Sequence, residues 1–323
     1  MTTLARGGLK EAHGRRKGLG YVLLAAALSG ISTPLAKPLA GTLSPLLLAG
    51  LLYFGSGLGA ALLSVTTPKA MTQNETSLTK ADIPWVLGTI GFGGVLAPLL
   101  YLYGLQHLLA SDASLLLNLE AIFTILLACI VFNERINRRF AFGACAIVLG
   151  SVIISLNGVQ AAYDIVGTLA IIGACFCWGF DNNFIRKIAH RSPFQVAGIK
   201  GIVAGVFELL LALPFLGGSP LLAVFAGLLV GVFCYGFCNV FWALGLRYLG
   251  SARAGAYFSS APFVGASVSV ILLHEGVTAY LVAASFAMAV GVWLAWTEKD
   301  GRLQFGSRKL PAATFASANC ACG

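Results

Sequence analysis

The residues most able to do chemistry in this sequence are five charged side chains inside long apolar runs. They are Lys37, Glu120, Asp181, Lys200 and Glu208. Ionisable residues within a membrane span are costly, and they usually face a water-filled cavity or an oppositely charged partner. Each of the five therefore either lines a path for polar solutes or holds a static ion pair.

The depth of each charge along its run sorts the five into two layers. At about 1.5 Å of rise per residue, Lys37, Glu120 and Glu208 fall in the outer half of a core about 30 Å thick. Asp181 and Lys200 fall in the inner half. We predict an outer pair of Lys37 with Glu120 or Glu208, and an inner pair of Asp181 with Lys200. Two of the outer residues have an alternative at the interface, because Glu208 is near the end of its run and Lys37 can extend along its stem.

Polar neighbours extend the predicted cavity beyond these charges. Asn182 and Asn183 follow Asp181, and three adjacent polar residues cover most of a helix's circumference, so at least one must face water or protein. If the cavity opens in turn to each side of the membrane, an acid that gains and loses a proton with each opening would couple movement of a solute to movement of protons. Asp181 and Glu120 are the candidates for this role. The predicted substrate-binding or cavity-lining residues are Lys37, Asn118, Glu120, Trp178, Asp181, Asn182, Asn183, Lys200, Ser259 and Ser260.

The composition requires lipid around most of the chain. Of its 323 residues 58% are hydrophobic and only 10% are charged, whereas soluble domains carry about 25% charged residues. The net charge of +9 would favour nucleic-acid binding in a soluble protein. Here the basic residues lie between apolar runs, so we expect a lipid bilayer and no nucleic acid as partner.

Ten apolar runs are long enough for membrane-spanning helices, which need about 20 residues each. We predict spans at 19–40, 44–66, 83–106, 112–132, 140–156, 165–185, 194–215, 221–247, 252–273 and 278–296. Every Lys and Arg outside these spans then falls on one side, which marks the cytoplasm. The result is a multi-pass protein with both termini cytoplasmic, including a basic segment at 1–18 and a tail at 297–323.

Five spans followed by five more indicate an internal repeat. Residues 104–152 align without a gap with residues 245–293, and both copies close a helix with a glutamate, Glu134 and Glu275. Because five is odd, the second copy must be inverted, an architecture that places substrate near the midplane between the repeats of a transporter. We predict an all-α integral membrane fold with repeats at 19–156 and 165–296, and a structural or gating role for the two glutamates.

Short motifs in both halves resemble the EamA-type branch of the drug/metabolite transporter superfamily. They are Leu119-Glu120-Ala121-Ile122-Phe123-Thr124, Phe132-Asn133-Glu134-Arg135-Ile136 and Trp178-Gly179-Phe180-Asp181-Asn182-Asn183. The sequence departs from the family pattern at Ala121, where the family has proline. It departs again at Ala261, where the second copy lacks the glutamate before Pro262. The resemblance covers residues 19–296 and implies ten helices in two inverted repeats, a central cavity, alternating access and a bacterial inner (plasma) membrane.

These features predict a secondary transporter of small solutes, acting in metabolite, amino-acid or drug-like efflux, with proton coupling as an option. The alternative is a channel or a non-transporting membrane scaffold. Small residues on the fifth and tenth spans allow a homodimer without requiring one. We predict no enzyme, metal or cofactor, because the four histidines lie in loops or tails without metal-ligand spacing and no phosphate loop or nucleophile elbow occurs.

Overall fold

A computed structural model describes residues 2–67, 76–132, 138–157, 162–188, 191–249 and 257–296, and these are almost entirely helical. In chain order the helices are α1 (Thr2–Ala40), α2 (Pro45–Thr66), α3 (Lys80–His107), α4 (Ala110–Leu116), α5 (Asn118–Phe132), α6 (Arg138–Asn157), α7 (Ala162–Lys187), α8 (Pro193–Leu216), α9 (221–249), α10 (Ala261–Leu272) and α11 (Ala279–Trp296). Both α3 and α9 contain a π-helical stretch, at Thr89–Leu96 and Gly231–Phe237.

The surface of this bundle is built for lipid. Among the described residues, α1, α2, α3, α7, α8 and α9 contain stretches long and apolar enough to cross a membrane, and three further apolar helices are shorter. Large apolar side chains such as Val65, Leu221 and Phe286 are exposed, which in water would be an aggregation liability. The predicted all-α integral membrane fold is confirmed.

Two predicted span boundaries need correction. The run at 112–132 is two helices, because α4 ends at Leu116 and α5 begins at Asn118. Asn118 Nδ2 donates to the Leu115 carbonyl over 2.9 Å, which satisfies a backbone acceptor at the break. The ninth span, predicted from residue 252, is interrupted by a turn at 259–260, after which α10 begins at Ala261 with Pro262 in its first turn. Residues 250–256 lie outside the described residues.

The first helix is also longer than its predicted span. α1 begins at Thr2, so the basic segment at 1–18 is helical from there on and continuous with the membrane-spanning part. The stretch that is apolar enough to span begins at Arg16. We predicted the start of the first span from hydropathy. Hydropathy does not show whether a helix continues into the polar residues that precede the span.

Helix contacts are symmetric under exchange of the two repeats. α2 packs on α8 and α6 packs on α11, which pairs the second and the fifth helix of each repeat with its counterpart. α1 packs on α9 and α3 packs on α7, so the first helix of each repeat contacts the third helix of the other. Gly50 of α2 faces Leu209 of α8, whereas Gly57 faces Ile202, so these two helices run antiparallel. Antiparallel counterparts are what an inverted repeat requires.

Glycines bring the counterpart helices α2 and α8 into backbone contact. A Cβ at Gly201 would lie 2.4 Å from the Gly57 nitrogen, and one at Gly205 would lie 2.2 Å from the Phe54 nitrogen. Neither side chain has room to grow, since the neighbouring atoms belong to the backbone. The two glycines therefore serve close helix packing, and we call this contact the α2–α8 seam.

Candidate functional site

An ion pair between Asp181 on α7 and Lys200 on α8 forms the centre of the site. Lys200 Nζ donates to Asp181 Oδ2, and the Asp181 residue is 4% exposed. The predicted inner pair is thus confirmed. Removing one partner of a buried pair costs about 3–5 kcal/mol, because an uncompensated charge is left behind.

The first repeat supplies the surroundings of this pair. A Cβ at Gly93, in the π-helical stretch of α3, would lie 2.1 Å from Asp181 Cγ, so only glycine leaves room for the carboxylate. The Gly93 carbonyl accepts hydrogen bonds from the Tyr53 hydroxyl and from Trp178 Nε1, the latter over 3.3 Å. Lys200 Nζ lies 5.9 Å from the centroid of the Tyr53 ring, a cation–π distance. The pair therefore lies where α2 and α3 meet α7 and α8.

A second set of polar side chains links α5 to α7. Asn182 Nδ2 donates to Glu120 Oε1 over 2.8 Å and to Thr124 Oγ1 over 3.1 Å. Asn183 Nδ2 donates to the carbonyls of Thr124 and Gly179, over 2.9 and 2.8 Å. Glu120 is half-buried and lies within electrostatic range of both members of the ion pair. We call Glu120, Asp181, Asn182 and Lys200 together the central cluster.

Lys37 does not pair with a carboxylate of the bundle interior. Its ammonium donates to three backbone carbonyls at the end of α3, those of Leu105 (2.6 Å), Gln106 (3.3 Å) and Leu108 (2.5 Å). A cation at a helix C-terminus satisfies free carbonyls and interacts favourably with the helix dipole. The predicted outer pair of Lys37 with Glu120 or Glu208 is wrong, because equal depth along the chain does not place two residues on facing sides of their helices.

Glu275 caps the start of α4. Its Oε1 accepts the N–H of Ala110 over 2.7 Å, and its Oε2 accepts the N–H of Ser111 over 2.9 Å. These are first-turn N–H groups, which have no partner within their own helix, and a carboxylate is favourable there. The contact is structural in kind. Glu134, its counterpart in the first repeat, lies outside the described residues.

The remaining predicted lining residues, Asn118, Ser259 and Ser260, lie at a helix break and in a turn, outside the central cluster. Asn118 is 4% exposed, and its amide contacts Met288 Sδ of α11 at 3.8 Å in addition to closing the helix break. Ser259 and Ser260 lie in the turn before α10, where the Ser260 hydroxyl donates to the Tyr257 carbonyl over 2.7 Å. The structure brings together Glu120, Trp178, Asp181, Asn182, Asn183 and Lys200. Asn118 and Ser260 instead donate hydrogen bonds to backbone carbonyls of their own segments.

Glu208 is one of the five charged residues singled out in the sequence, but the predicted cavity lining did not include it. We expected it at the membrane interface, but it is 0% exposed, and neither carboxyl oxygen has a hydrogen-bonding partner among the described residues. Its place near the end of the predicted run at 194–215 gave depth alone and did not show that α8 packs against α2. One signal was available: Lys200, Ala204 and Glu208 follow one another at intervals of four, a single ridge of the helix.

The central cluster offers charges of both signs to a polar molecule. Lys200 carries an ammonium with three donors, while Asp181 and Glu120 carry carboxyl groups, and the rings of Trp178 and Tyr53 form an apolar wall beside them. Within the described residues, no group of three or more His, Cys, Asp or Glu side chains is placed to hold a metal ion. The arrangement suits the binding of a small charged organic solute.

Comparison with known proteins gives relatives for the whole chain. It is 27% identical over 318 residues to an uncharacterized transporter of Methanothermobacter thermautotrophicus, covering 92% of each chain. It is 26% identical over 181 residues to the pseudopaline exporter CntI of Pseudomonas aeruginosa, covering 56% of this chain and 61% of that one. It is 24% identical over 308 residues to a probable amino-acid metabolite efflux pump of Escherichia coli K12, covering 86% and 94%.

A structural comparison and a family match point to the same class of protein as these relatives. A solved crystal structure superposes with a TM-score of 0.63 over 88% of this chain and 98% of its own, at 20% identity, which shows the fold alone. The EamA-like transporter family matches two stretches, residues 16–156 and 165–297, which are the two repeats. Since those matches cover both halves of the molecule, the chain belongs to the EamA-like transporter family and is a multi-pass membrane transporter of small solutes.

Proposed function

We propose that this transporter exports small metabolites that carry both an amine and a carboxylate, by alternating access to a site between its two repeats. The observation that carries the proposal is the Asp181–Lys200 pair, which lies at the meeting of α2 and α3 with α7 and α8. Glu120 of α5 adds a second carboxyl group from the first repeat. Helices of both repeats therefore contribute to one charged site.

The pair holds the complementary charges that a zwitterion needs. Asp181 Oδ1 is buried and has no hydrogen-bonding partner among the described residues, so it is able to accept from a cargo ammonium. Lys200 has further donors for a cargo carboxylate. Without cargo the two side chains neutralise each other, which avoids the cost of two unpaired buried charges. In the empty carrier Asp181 and Lys200 bind each other, and in the loaded carrier each binds the oppositely charged group of the cargo. The same two residues therefore serve both states.

Export as the direction is supported by the relatives, one of which is an exporter and another a probable efflux pump for amino-acid metabolites. The location we propose is a plasma membrane with both termini in the cytoplasm, from the clustering of basic loops. The Ser192 N–H donates to the Thr76 carbonyl over 3.1 Å. The α2–α3 and α7–α8 loops therefore lie on the same face of the bundle, as this orientation requires.

The test is ligand-induced thermal stabilisation of the purified protein across amino acids, their decarboxylated amines, their N-acetyl derivatives, sugars and nucleosides. A ligand at 100 times its dissociation constant adds about 2.7 kcal/mol to the free energy of unfolding. We expect a shift for amino acids with both groups free, absent in Lys200→Met and unchanged in the exposed control Lys17→Met. Stabilisation by amines alone, or by sugars or nucleosides, would contradict the proposal.

A further inference from the structure

Glu208 is the buried acidic side chain, among the described residues, in which both oxygens lack a hydrogen-bonding partner. Asp181 binds Lys200, Glu120 binds Asn182 and Glu275 binds two backbone N–H groups. Glu208 is 0% exposed and lies in the interior of α8. This carboxyl group plays no part in the cargo site proposed above.

The surroundings decide which form of this carboxyl group is stable. An ionised carboxylate without a partner is far more costly to bury than a neutral polar group, whose unmade hydrogen bond costs about 1–3 kcal/mol. The Glu208 side chain therefore holds a proton in the conformation described. A buried acid that contributes no contact weakens the fold, and such groups in membrane spans mark functional positions.

The ionisable groups on the neighbouring helices are few. On α2 the only one is Tyr53, which lies within electrostatic range of Glu208, Asp181 and Glu120. The Thr89–Leu96 stretch of α3 carries none. The 238–249 part of α9 carries Cys238, Arg247 and Tyr248, and it meets α8 at the far end, where Phe194 packs with Val240 and Leu244. On α8 itself, Lys200 lies eight residues away, about 12 Å along the axis.

The position of Glu208 is on the surface along which the two repeats meet. Its neighbour Leu209 contacts Gly50 of α2, one turn before Tyr53. The α2–α8 seam joins the second helices of the two repeats, with glycines that let the backbones of both helices approach closely. Movement of one repeat against the other, as alternating access requires, therefore shears this seam and brings water to residues now covered by α2.

We propose that Glu208 is the proton-binding site that couples transport to the proton gradient. Its carboxylate takes one proton from a hydronium ion on one side of the membrane, so that an O–H bond of that ion breaks and an O–H bond of the carboxyl group forms. After the repeats have moved, that bond breaks and the proton passes to a water molecule on the other side. This proposal rests on the alternating access proposed above. It also moves the coupling role from Asp181 and Glu120, which the sequence favoured, to a residue that makes no bond to the cargo site.

The experiment is infrared spectroscopy of the purified protein in lipid, recorded at neutral pH in H2O and then in D2O. The carbonyl stretch of a protonated carboxyl group is separate from carboxylate bands and shifts when deuterium replaces the proton. We expect a band component that exchanges in D2O, that is lost in Glu208→Gln and that is retained in Glu275→Gln. Glu208→Met serves as the second variant, since it removes the unpaired polar group and keeps a side chain of similar length.

An equimolar mixture of the proteinogenic amino acids is then added to the same samples. A change in the Glu208 component shows that the proton site and the cargo site communicate. A Glu208 component that exchanges but does not respond to amino acids supports the proton site and counts against the proposed cargo class. The proposal is overturned if both Glu208 variants keep the full band, or if the Glu208 component does not exchange with D2O.

Discussion

Two charged positions on the same helix, Lys200 and Glu208, differ in their ion-pair and hydrogen-bonding partners. Lys200 has an ion-pair partner, an aromatic ring beside it and a second carboxyl group, that of Glu120, within electrostatic range. Glu208, two turns further along α8, has no partner at all among the described residues. The difference teaches that one helix can carry two functions, with a satisfied charge available for exchange with cargo and an unsatisfied acid available for a proton.

The largest effect expected from breaking this contrast is that of Lys200→Met. The change leaves Asp181 buried and unpaired, so we expect a loss of about 3–5 kcal/mol in the free energy of unfolding. The double variant Lys200→Met with Asp181→Leu replaces both charges by apolar groups and should recover most of that loss. Denaturant or thermal unfolding in detergent measures both. A single variant as stable as the wild type would show that the pair is not buried as described.

Gly93→Ala attacks the same pair from the first repeat. The new Cβ would overlap the Asp181 carboxyl group, and overpacking of this kind costs about 1–3 kcal/mol. The matched control is Gly91→Ala in the same π-helical stretch, where a Cβ meets nothing within 4 Å. Equal melting temperatures for the two variants would mean that Asp181 moves aside without cost.

At Glu208 the expected change in stability has the opposite sign. Glu208→Met removes a buried polar group without a partner, and we expect the free energy of unfolding to rise by about 1–2 kcal/mol. Thermal unfolding of this variant beside Lys200→Met shows the contrast directly, one melting temperature above the wild type and the other below it. A fall for Glu208→Met would reveal a hydrogen bond that stabilises the carboxyl group.

The smallest effect belongs to Asn182→Ala. This change removes two hydrogen bonds, to Glu120 and Thr124, on a half-buried side chain. We expect a loss of about 1 kcal/mol in stability and weaker stabilisation by amino acids, because Glu120 is no longer held in place. The variant should keep the Asp181–Lys200 pair. A loss of stability as large as that of Lys200→Met would mean that the Asn182 hydrogen bonds and the ion pair form one interdependent network.

The sequence predicted the Asp181–Lys200 pair and not the environment of Lys37, and the reason is geometric. Counting residues along an apolar run gives depth, which is one coordinate of three. Asp181 and Lys200 share depth and both lie against the Thr89–Leu96 stretch of α3, at Gly93 and Gly94, whereas Lys37 shares depth with Glu120 but contacts the end of α3. Which side of a helix faces which neighbour depends on packing, and a single sequence does not contain that information in readable form.

The irregular backbone was equally hard to read from composition. The π-helical stretch in α3 places Gly93 against Asp181, and the break at Leu117 separates α4 from α5. Both interruptions lie inside runs that are long and mostly apolar, so hydropathy gives continuous spans. π-Helical insertions occur frequently at functional sites. The corresponding stretch in α9 lies in the equivalent helix of the other repeat, which the sequence repeat alone did not show.

The two repeats differ most where the site is. The first repeat has Glu120 after Leu119, and the aligned position of the second repeat is Ala261, which is 3% exposed. The polar cluster is correspondingly one-sided, built from α5 of the first repeat and from α7 and α8 of the second. The sequence alignment of the repeats already contained this asymmetry, and the structure shows that Glu120 is bound to Asn182.

The most direct test of the account is exchange of a radiolabelled amino acid, chosen from those that stabilise the wild type, across liposomes without a pH gradient. Exchange needs the cargo site and the movement of the repeats, but no net proton movement. We expect Lys200→Met to abolish exchange and Glu208→Gln to retain it at the wild-type rate. The reverse result, with exchange kept in Lys200→Met and lost in Glu208→Gln, would contradict the assignment of cargo to the central cluster.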